Sequence, residues 1–268
     1  MTSFVADLKS RAVISLTGEG WRDFLQGLIT QDVDTLAPGE LRFGALLTPQ
    51  GRLLFDLFVS GDDAGALVDC EAALRATLIQ RLTMYRLRAK VEIAPSDLPV
   101  QALFGTDDEA AGWLRDPRLP GLGRRGYGAA APAGASAVEE ATYDAHRLVL
   151  GVPGPLDWGS DRTYPIEANF DLLNGIDFRK GCFVGQETTS RMKRRGQIKS
   201  RMAPIAFDGP PPAPGAELLA GELRAGEVLS GAEGRAMAVL RLDRVGPGLL
   251  TLADGRAVRA ELPVWLDG

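Results

Sequence analysis

A proline-rich segment, FDGPPPAPGAEL at 207–218, divides the sequence into two parts of different character. Four of the five residues from 210 to 214 are prolines, and this density predicts a linker or a stiff turn. Beyond it lie short apolar runs separated by glycine turns, namely GEVLS, RAMAVLRL, GLLTLA and AVRAELPVW. None is long enough for a helix, so the pattern is typical of a small antiparallel β-barrel or sandwich. We predict a β-barrel domain over residues 204–268.

The longer first part, residues 1–203, alternates strand and helix patterns. RAVISL (11–16) predicts a strand, and EGWRDFLQGLI after it has apolar residues at helical spacing. LRFGALL and RLLFDLFVS, joined by TPQG, predict a hairpin. GALVD predicts a strand, CEAALRATLIQRL a helix, and residues 86–93 a strand with alternating basic and apolar faces. The order β-α-β-β-β-α-β indicates an α+β fold, with antiparallel sheet and helices on one side.

Two further helices are expected before the barrel. One short helix is predicted near DDEAAGWLR, in a stretch that is otherwise rich in Gly, Ala and Pro. The other is predicted over YPIEANFDLLNG, where Pro165 suits a helix start and Gly175 follows the last turn.

Composition indicates an ordinary globular protein, with 45% hydrophobic and 24% charged residues. No apolar run is long enough to cross a bilayer, and the first residues carry charges at Asp7, Lys9 and Arg11 instead of an apolar signal core. We therefore expect a cytoplasmic protein without a membrane partner.

Two cysteines, Cys70 and Cys182, and one histidine, His146, are too few for a disulfide framework or a self-contained metal site.

Two basic segments stand out against a net charge of −5. The run RMKRRGQIKSR (191–201) has six positive charges and no negative one, and MYRLRAKVEI places Arg86, Arg88 and Lys90 on alternate positions. Each is either a solvated face or a binding site for an anion such as a carboxylate tail, a phosphate or RNA. The acidic overall charge argues against general coating of nucleic acid.

The stretch RKGCFVGQETTSRMKRRG (179–196) contains the cysteine with the strongest chemical signal. A helix predicted at about 187–195, ended by Gly196, would direct its N-terminal amides toward the loop that holds Cys182. That helix end, with Arg179 and Lys180, would favour the thiolate, which attacks electrophiles or binds iron. The alternative is a buried packing role, because free cysteine is among the most buried residue types. Cys70 follows Asp69 at the start of a leucine-striped helix, which predicts simple packing.

The segment KGCFVGQE (180–187), followed by Arg191 and Gly196, resembles the signature of the YgfZ-type folate-binding proteins. These belong to the T-protein (aminomethyltransferase) superfamily and have mitochondrial relatives that act in iron–sulfur protein maturation. FLQGLITQDV, LLTPQGRLLFDLFV, YRLRAKVEI and AGEVLS follow in the family's order. The resemblance implies two intertwined α+β lobes, with an internal boundary within 45–100, and a C-terminal β-barrel around a central folate-sized opening.

The resemblance also implies a function and its residues. It implies a folate-binding accessory protein in the assembly or repair of iron–sulfur clusters, serving assembly or client proteins that include tRNA-modifying enzymes. Cys182 would be the reactive thiol, or one ligand of a cluster shared with a partner, since clusters usually need four protein ligands. The motif residues around it are Lys180, Gly181, Phe183, Gly185, Gln186, Glu187 and Arg191.

Tetrahydrofolate would sit in the central opening. Its expected contacts are Asp56, Glu167, Arg86 and Arg88, the two arginines meeting the glutamate tail. T-proteins have paired aspartates where this sequence has Phe55-Asp56, so Asp56 either contacts a pterin or faces solvent. Glu167 either holds the pterin by bidentate hydrogen bonds or stabilises a helix N-terminus.

Two other functions remain open on the sequence. One is a tetrahydrofolate-dependent aminomethyl or one-carbon transferase that uses Asp56. The other is an RNA-binding module that uses the basic run 191–201, with the strong salt dependence typical of phosphate contacts.

Overall fold

The computed structural model describes residues 2–196, 198–246 and 249–267. Its strands are β1 (Phe4–Asp7), β2 (Arg11–Thr17), β3 (Arg42–Leu47), β4 (Leu53–Gly61), β5 (Gly65–Glu71), β6 (Glu92–Ser96), β7 (Val100–Phe104), β8 (Trp113–Arg115), β9 (Arg124–Tyr127), β10 (Ser136–Val138), β11 (Ser200–Phe207), β12 (Glu217–Ala220), β13 (Leu223–Ala232), β14 (Arg235–Arg241), β15 (Leu250–Leu252) and β16 (Ala257–Ala260). Its α-helices are α1 (Trp21–Gln26), α2 (Arg75–Arg86), α3 (Glu140–Val149), α4 (Pro155–Trp158) and α5 (Gln186–Arg195).

The first two sheets are intertwined through the path of the chain. The first sheet has the order β10-β1-β7-β9-β8, and the second has the order β3-β4-β5-β2-β6. The chain therefore starts in the first sheet, builds the whole second sheet, and returns to complete the first. Two α+β lobes result, of which the second is one continuous segment, residues 11–96, inserted between β1 and β7 of the first.

The second sheet is buried on both faces because its strands carry apolar residues on both sides. Trp21, Leu25, Leu78 and Leu82 of α1 and α2 cover one face, against Leu57 and Val68. The other face, with Phe43, Leu47 and Phe58, packs against Phe170, Phe183 and Met202. The segment before the barrel is thus fastened directly to the sheet.

The C-terminal strands form a closed barrel in the order β11-β14-β13-β12-β15-β16. Its core is built from apolar residues of all six strands, among them Ile205, Leu218, Val228, Leu240, Leu252 and Val258. This arrangement, with the α+β lobes, confirms the predicted fold class. Because β11 begins at Ser200, before the proline-rich segment, the predicted boundary at 204 falls inside a barrel strand.

The predicted basic strand over 86–93 is wrong. Helix α2 continues to Arg86, Leu87 ends it with a positive φ of 39°, and β6 begins only at Glu92. The alternation of basic and apolar residues is too short to oppose the leucine stripe that extends the helix. Arg86 and Arg88 therefore do not share the face of a strand.

The two helices predicted between residues 105 and 175 are also wrong. Trp113–Arg115, in the first of these segments, forms β8 instead. Residues 165–174 form consecutive turns, in which Asn169 and Asn174 have positive φ values of 62° and 54°. The Asn169 side chain donates to the carbonyl of Met202 at 2.7 Å, so a tertiary contact helps to hold this segment in its turns.

Candidate functional site

Lys180 anchors the signature loop, residues 179–185, to the end of α1. Its Nζ donates to the carbonyl oxygens of Gln26 at 2.8 Å, Ile29 at 2.7 Å and Gln31 at 2.8 Å. Burial lowers the pKa of this ammonium to about 8. An ammonium has three donors, so Lys180 has none left for the neighbouring thiol. Its contribution is to position the loop.

Cys182 lies on the outer side of the loop. Gly181 and Cys182 are exposed, whereas Lys180 before them and Phe183 after them are buried. Two buried side chains thus hold the loop on either side and present the thiol to solvent. The alternative of a buried packing cysteine does not apply to Cys182. It does describe Cys70, which is fully buried and whose thiol pKa is raised to about 12 by burial.

The loop also rests on the turn between β3 and β4. Gly185 has a φ of +80°, and a Cβ there would lie 2.6 Å from the carbonyl oxygen of Thr48 and 2.9 Å from Cα of Gly51. Only glycine combines this left-handed backbone with so close an approach. Helix α5 starts at Gln186, whose N–H donates to the carbonyl of Phe183 at 3.2 Å, and ends at Gly196 with a φ of 70°. The predicted helix after the cysteine is confirmed.

The remaining motif residues lie on α5. Glu187 is exposed in the first turn, where a negative charge is favourable at a helix N-terminus, and Arg191 is exposed further along. Part of the basic run 191–201 makes ion pairs within the protein. Arg201 is buried and makes a bidentate ion pair with Asp171 at 2.8 and 2.9 Å, and Lys193 approaches the same carboxylate at 3.5 Å. The run is therefore not one continuous solvated basic face.

Asp56 belongs to a buried ion network that joins the two lobes. Arg11 donates to Asp56 and to Asp69, both at 2.7 Å. Asp69, on β5 of the second sheet, accepts from Arg125, on β9 of the first, at 2.6 Å. Asp116 and Arg118 complete the network with a bidentate pair at 3.0 and 2.8 Å. Three arginines and three aspartates thus balance in charge.

The space left beside Asp56 is too small for folate. A cavity of about 40 Å³ remains, lined by the network and by Phe58 and Tyr143. Ligand pockets usually measure about 300–1,000 Å³. Asp56 therefore neither faces solvent nor has room for a pterin. Its predicted folate contact and its predicted transferase role both lack a site.

Glu167 lines a much larger cleft between the α+β lobes and the barrel. The cleft has a volume of about 540 Å³ and is lined also by Trp158, Arg162, Met202 and Val239. One carboxylate oxygen of Glu167 accepts from the N–H of Tyr164 at 3.1 Å, and burial raises the pKa of the carboxyl. Because residues 165–174 form turns, Glu167 does not stabilise a helix N-terminus, which was the alternative prediction.

A second cleft, of about 530 Å³, lies beside the signature loop. Asp177, Phe178 and Arg179, just before Lys180, line it together with Asp32 and Arg42. Arg179 is only three residues from Cys182. The Cα atoms of these two residues are therefore at most about 11 Å apart, so Cys182 lies close to the cleft.

The four predicted folate contacts are not brought together. Asp56 lines the small cavity and Glu167 the cleft at the barrel, whereas Arg86, at the end of α2, and Arg88, just after it, are exposed and line neither. The prediction that Arg86 and Arg88 reach a central opening is wrong, since it relied on a basic strand that the chain does not form.

The ion network and the carbonyl cage of Lys180 are the features that sequence reasoning missed. Asp69 inside the apolar run GALVDC was a signal, because a carboxylate in a buried strand requires a cationic partner. The carbonyl partners of Lys180 had no such signal, since they lie about 150 residues away in the chain.

Comparison with solved structures shows which fold the chain has. The glycine cleavage system aminomethyltransferase T from Bartonella henselae superimposes with a TM-score of 0.78, over 99% of this chain and 86% of that chain, at 17% sequence identity. The fold is therefore that of the T-proteins. Residues 199–268 match the family model described as CAF17, C-terminal beta-barrel domain.

The chain is also similar in sequence to a group of iron–sulfur cluster assembly factors. The chain is 32% identical to the iron–sulfur cluster assembly factor IBA57 homolog of Mycosarcoma maydis, over 78% of this chain and 59% of that protein. It is 29% identical to human IBA57, over 96% of this chain and 84% of that protein. The chain thus spans a little over half the length of the fungal relatives it matches. The chain is therefore similar in sequence to the IBA57 iron–sulfur cluster assembly factors and similar in fold to the T-proteins.

The same relatives correct the expected location. The IBA57 proteins of Mycosarcoma maydis, Neurospora crassa, human and mouse are mitochondrial proteins. The expectation of a cytoplasmic protein is wrong on this comparison. In the ranges that the structure describes, no helix is both long and apolar enough to cross a membrane.

Proposed function

We propose that this protein is an accessory factor in the assembly or repair of iron–sulfur clusters and that Cys182 is its working thiol. The observation that carries the proposal is the signature loop, in which the buried Lys180 and Phe183 hold an exposed cysteine in a fixed position. An exposed thiol on a rigid support suits transfer between proteins, because a partner can approach it directly. The names of the IBA57 relatives support the same reading.

The cluster would be shared with a partner. Within the described ranges, no three His, Cys, Asp or Glu side chains are grouped so that they could hold a metal ion. A cluster usually takes four protein ligands, so Cys182 would supply one and an assembly or client protein the rest. In this proposal the cluster is cargo, held at the interface with the partner.

We further propose that tetrahydrofolate binds in the cleft lined by Glu167. The cleft volume of about 540 Å³ suits a ligand of this size, and Trp158 offers an aromatic wall. Glu167 uses one oxygen for the N–H of Tyr164, so the carboxylate still has acceptor capacity for the amino edge of a pterin. Arg162 lines the same cleft and is the cation that we assign to the glutamate tail. Bound folate would be a regulatory ligand or a one-carbon carrier.

The clients of this activity would include cluster-dependent enzymes that modify tRNA. The experiment that tests the function is rescue of a deletion strain, with the activity of such an enzyme as the readout. Cys182→Ser should fail to rescue, whereas Cys70→Ser, which changes the buried cysteine, serves as the matched control. Full rescue by Cys182→Ser at equal protein level would contradict the proposed role of the thiol.

The folate site is tested separately, on purified protein. Glu167→Gln keeps the size of the side chain and the acceptor for Tyr164, but removes the charge. We expect tetrahydrofolate affinity to fall by about tenfold or more, consistent with the loss of a charge-assisted hydrogen bond. Unchanged affinity would show that folate binds elsewhere or through other groups.

A further inference from the structure

Helix α2 and the turn after it form a strongly cationic segment of the chain. Residues 72–91 contain five of the 30 basic side chains and none of the 35 acidic ones. Four of the five lie between residues 81 and 90, which we call the α2 tip, namely Arg81, Arg86, Arg88 and Lys90. Within the described part of the chain, no salt bridge involves any of these four. This charge is therefore available to an external partner.

The α2 tip also presents apolar side chains to solvent. Leu87 is 90% exposed and Met84 is 71% exposed, whereas Leu78 and Leu82 on the same helix are fully buried. Leu87 has φ 39° and ψ −97°, a conformation that costs leucine free energy, and the turn is closed by the Ala89 N–H on the Arg86 carbonyl at 2.6 Å. The chain thus holds a leucine outward, among cationic side chains, in a strained turn.

The shape of the α2 tip distinguishes between the anionic partners that it could take. The tip is convex, because it is the end of a helix and a tight turn, and it lines none of the clefts described above. A peptide needs a groove or pocket for its side chains. RNA recognition uses stacking on exposed aromatic rings, whereas Tyr85, the aromatic residue of the tip, is packed on the core. A convex tip with aliphatic residues amid cations suits a soft anionic surface.

We propose that the α2 tip binds the surface of an anionic phospholipid bilayer, with Leu87 and Met84 entering the interface and the cations meeting the headgroups. Cationic side chains near an anionic leaflet and aliphatic side chains below it are the two contributions that hold proteins at membrane surfaces. The mode is peripheral and requires no spanning helix.

This orientation would leave the signature loop accessible. Helix α2 packs on β2 and β6, whereas the loop rests on the turn between β3 and β4. These lie toward opposite edges of the sheet β3-β4-β5-β2-β6. Four steps of about 4.8 Å between strands separate β3 from β6 by roughly 19 Å. A membrane-bound molecule would still expose Cys182 to a partner.

The test is co-sedimentation of the purified full chain with vesicles. Phosphatidylcholine vesicles with about 30 mol% phosphatidylglycerol are compared with phosphatidylcholine alone, at about 0.1 M salt. We expect at least tenfold stronger binding to the anionic vesicles. Equal binding to both, or binding to neither, would overturn the proposal.

Variants separate the contribution of the cationic side chains from that of the exposed apolar side chains. Combined R86E, R88E and K90E should weaken binding at least about 100-fold, since each cation near an anionic leaflet contributes about fivefold. L87Q should weaken binding by about fivefold or more, while L223Q, at a barrel leucine that is 60% exposed, should leave it unchanged. All positions are exposed, and circular dichroism verifies folding. Unaltered binding by the charge variant or by L87Q would refute the assignment.

Competition identifies the kind of surface. Single-stranded RNA and polyglutamate are added to the vesicle-bound protein at equal charge concentration. Retention on the vesicles supports the bilayer as the partner. Complete displacement by either polymer would show that the tip prefers nucleic acid or an acidic protein, and would overturn the proposal.

Discussion

Two glycines of the signature loop differ in what a side chain would meet. A Cβ at Gly185 would approach the Thr48 carbonyl oxygen to 2.6 Å on a left-handed backbone, whereas one at Gly181 would enter open space. The signature contains both glycines, yet only Gly185 is required by packing. The role of Gly181 is therefore to be sought in its exposed position next to Cys182, where a side chain would stand between the thiol and a partner.

Alanine substitution of these two glycines gives a matched pair of predictions for stability. Gly185→Ala should destabilise the protein by about 1–3 kcal/mol, because it combines backbone strain with a steric overlap. Gly181→Ala should change the free energy of unfolding by less than about 0.5 kcal/mol. Urea unfolding of both variants measures this. If the two alanine variants were equally stable, the loop would not rest on the β3–β4 turn as described.

At the scale of elements, the barrel strands could be predicted from the sequence because their bounds are set by local signals. Glycine turns separate short apolar runs, and hairpin pairs join β12 to β13, β13 to β14 and β15 to β16. The helix predicted over residues 164–175 failed for the opposite reason. Its apolar residues are spaced as in a helix, but Asn169 and Arg201 bind partners about 30 residues apart, and these contacts override local propensity.

The difference between local signals and contacts of distant residues also decides which parts of the candidate site could be predicted. The motif around Cys182 is a short continuous segment, so it could be found from the sequence. The ion network takes Arg11, Asp56, Asp69, Asp116, Arg118 and Arg125 from six separate positions over more than 100 residues. Charge alone could not show which arginine meets which aspartate, and so could not show that Asp56 was already engaged.

The contact between β5 and β9 through Asp69 and Arg125 should be essential for joining the lobes. Arg125→Met retains the length of the side chain but leaves the buried carboxylate of Asp69 with one cationic partner fewer. We expect a loss of about 3–5 kcal/mol, typical of a broken buried ion pair. Arg259→Met, on the exposed barrel strand β16, is the control and should cost less than about 1 kcal/mol. A small effect of Arg125→Met in chemical denaturation would show that the lobes are held mainly by apolar contacts.

On the scale of the whole molecule, the network links stability to pH. Burial would raise the pKa of the Asp116 carboxyl, but Arg118 and Arg125 outweigh it and hold that pKa below its ordinary value. A lowered folded-state pKa means that the unfolded chain binds the proton more tightly. The stabilisation that ionised Asp116 gives the folded state is therefore fully present above about pH 5. It is lost as the pH falls through the pKa of an unfolded aspartate, about 3.9, and below.

We expect the free energy of unfolding to decrease steeply below about pH 4 in the wild type, with both lobes unfolding together. Asp116→Asn should be less stable at pH 7 and should show a shallower decrease in acid, because the variant has no proton to gain at this position. Urea unfolding between pH 3 and 7 measures both curves. Parallel curves would mean that Asp116 does not contribute to the acid sensitivity.

The interleaved path of the chain sets an order on synthesis at the ribosome. Strand β1 emerges first, but its partners β7 and β10 begin at Val100 and Ser136, after the whole second sheet. At translation rates of about 5–20 residues per second, β1 waits roughly 5–20 s before β7 leaves the ribosome. During that interval the second sheet can form while β1 remains an open strand edge. A nascent chain of this fold therefore carries an unpaired hydrogen-bonding edge at β1, which a ribosome-bound chaperone is suited to cover.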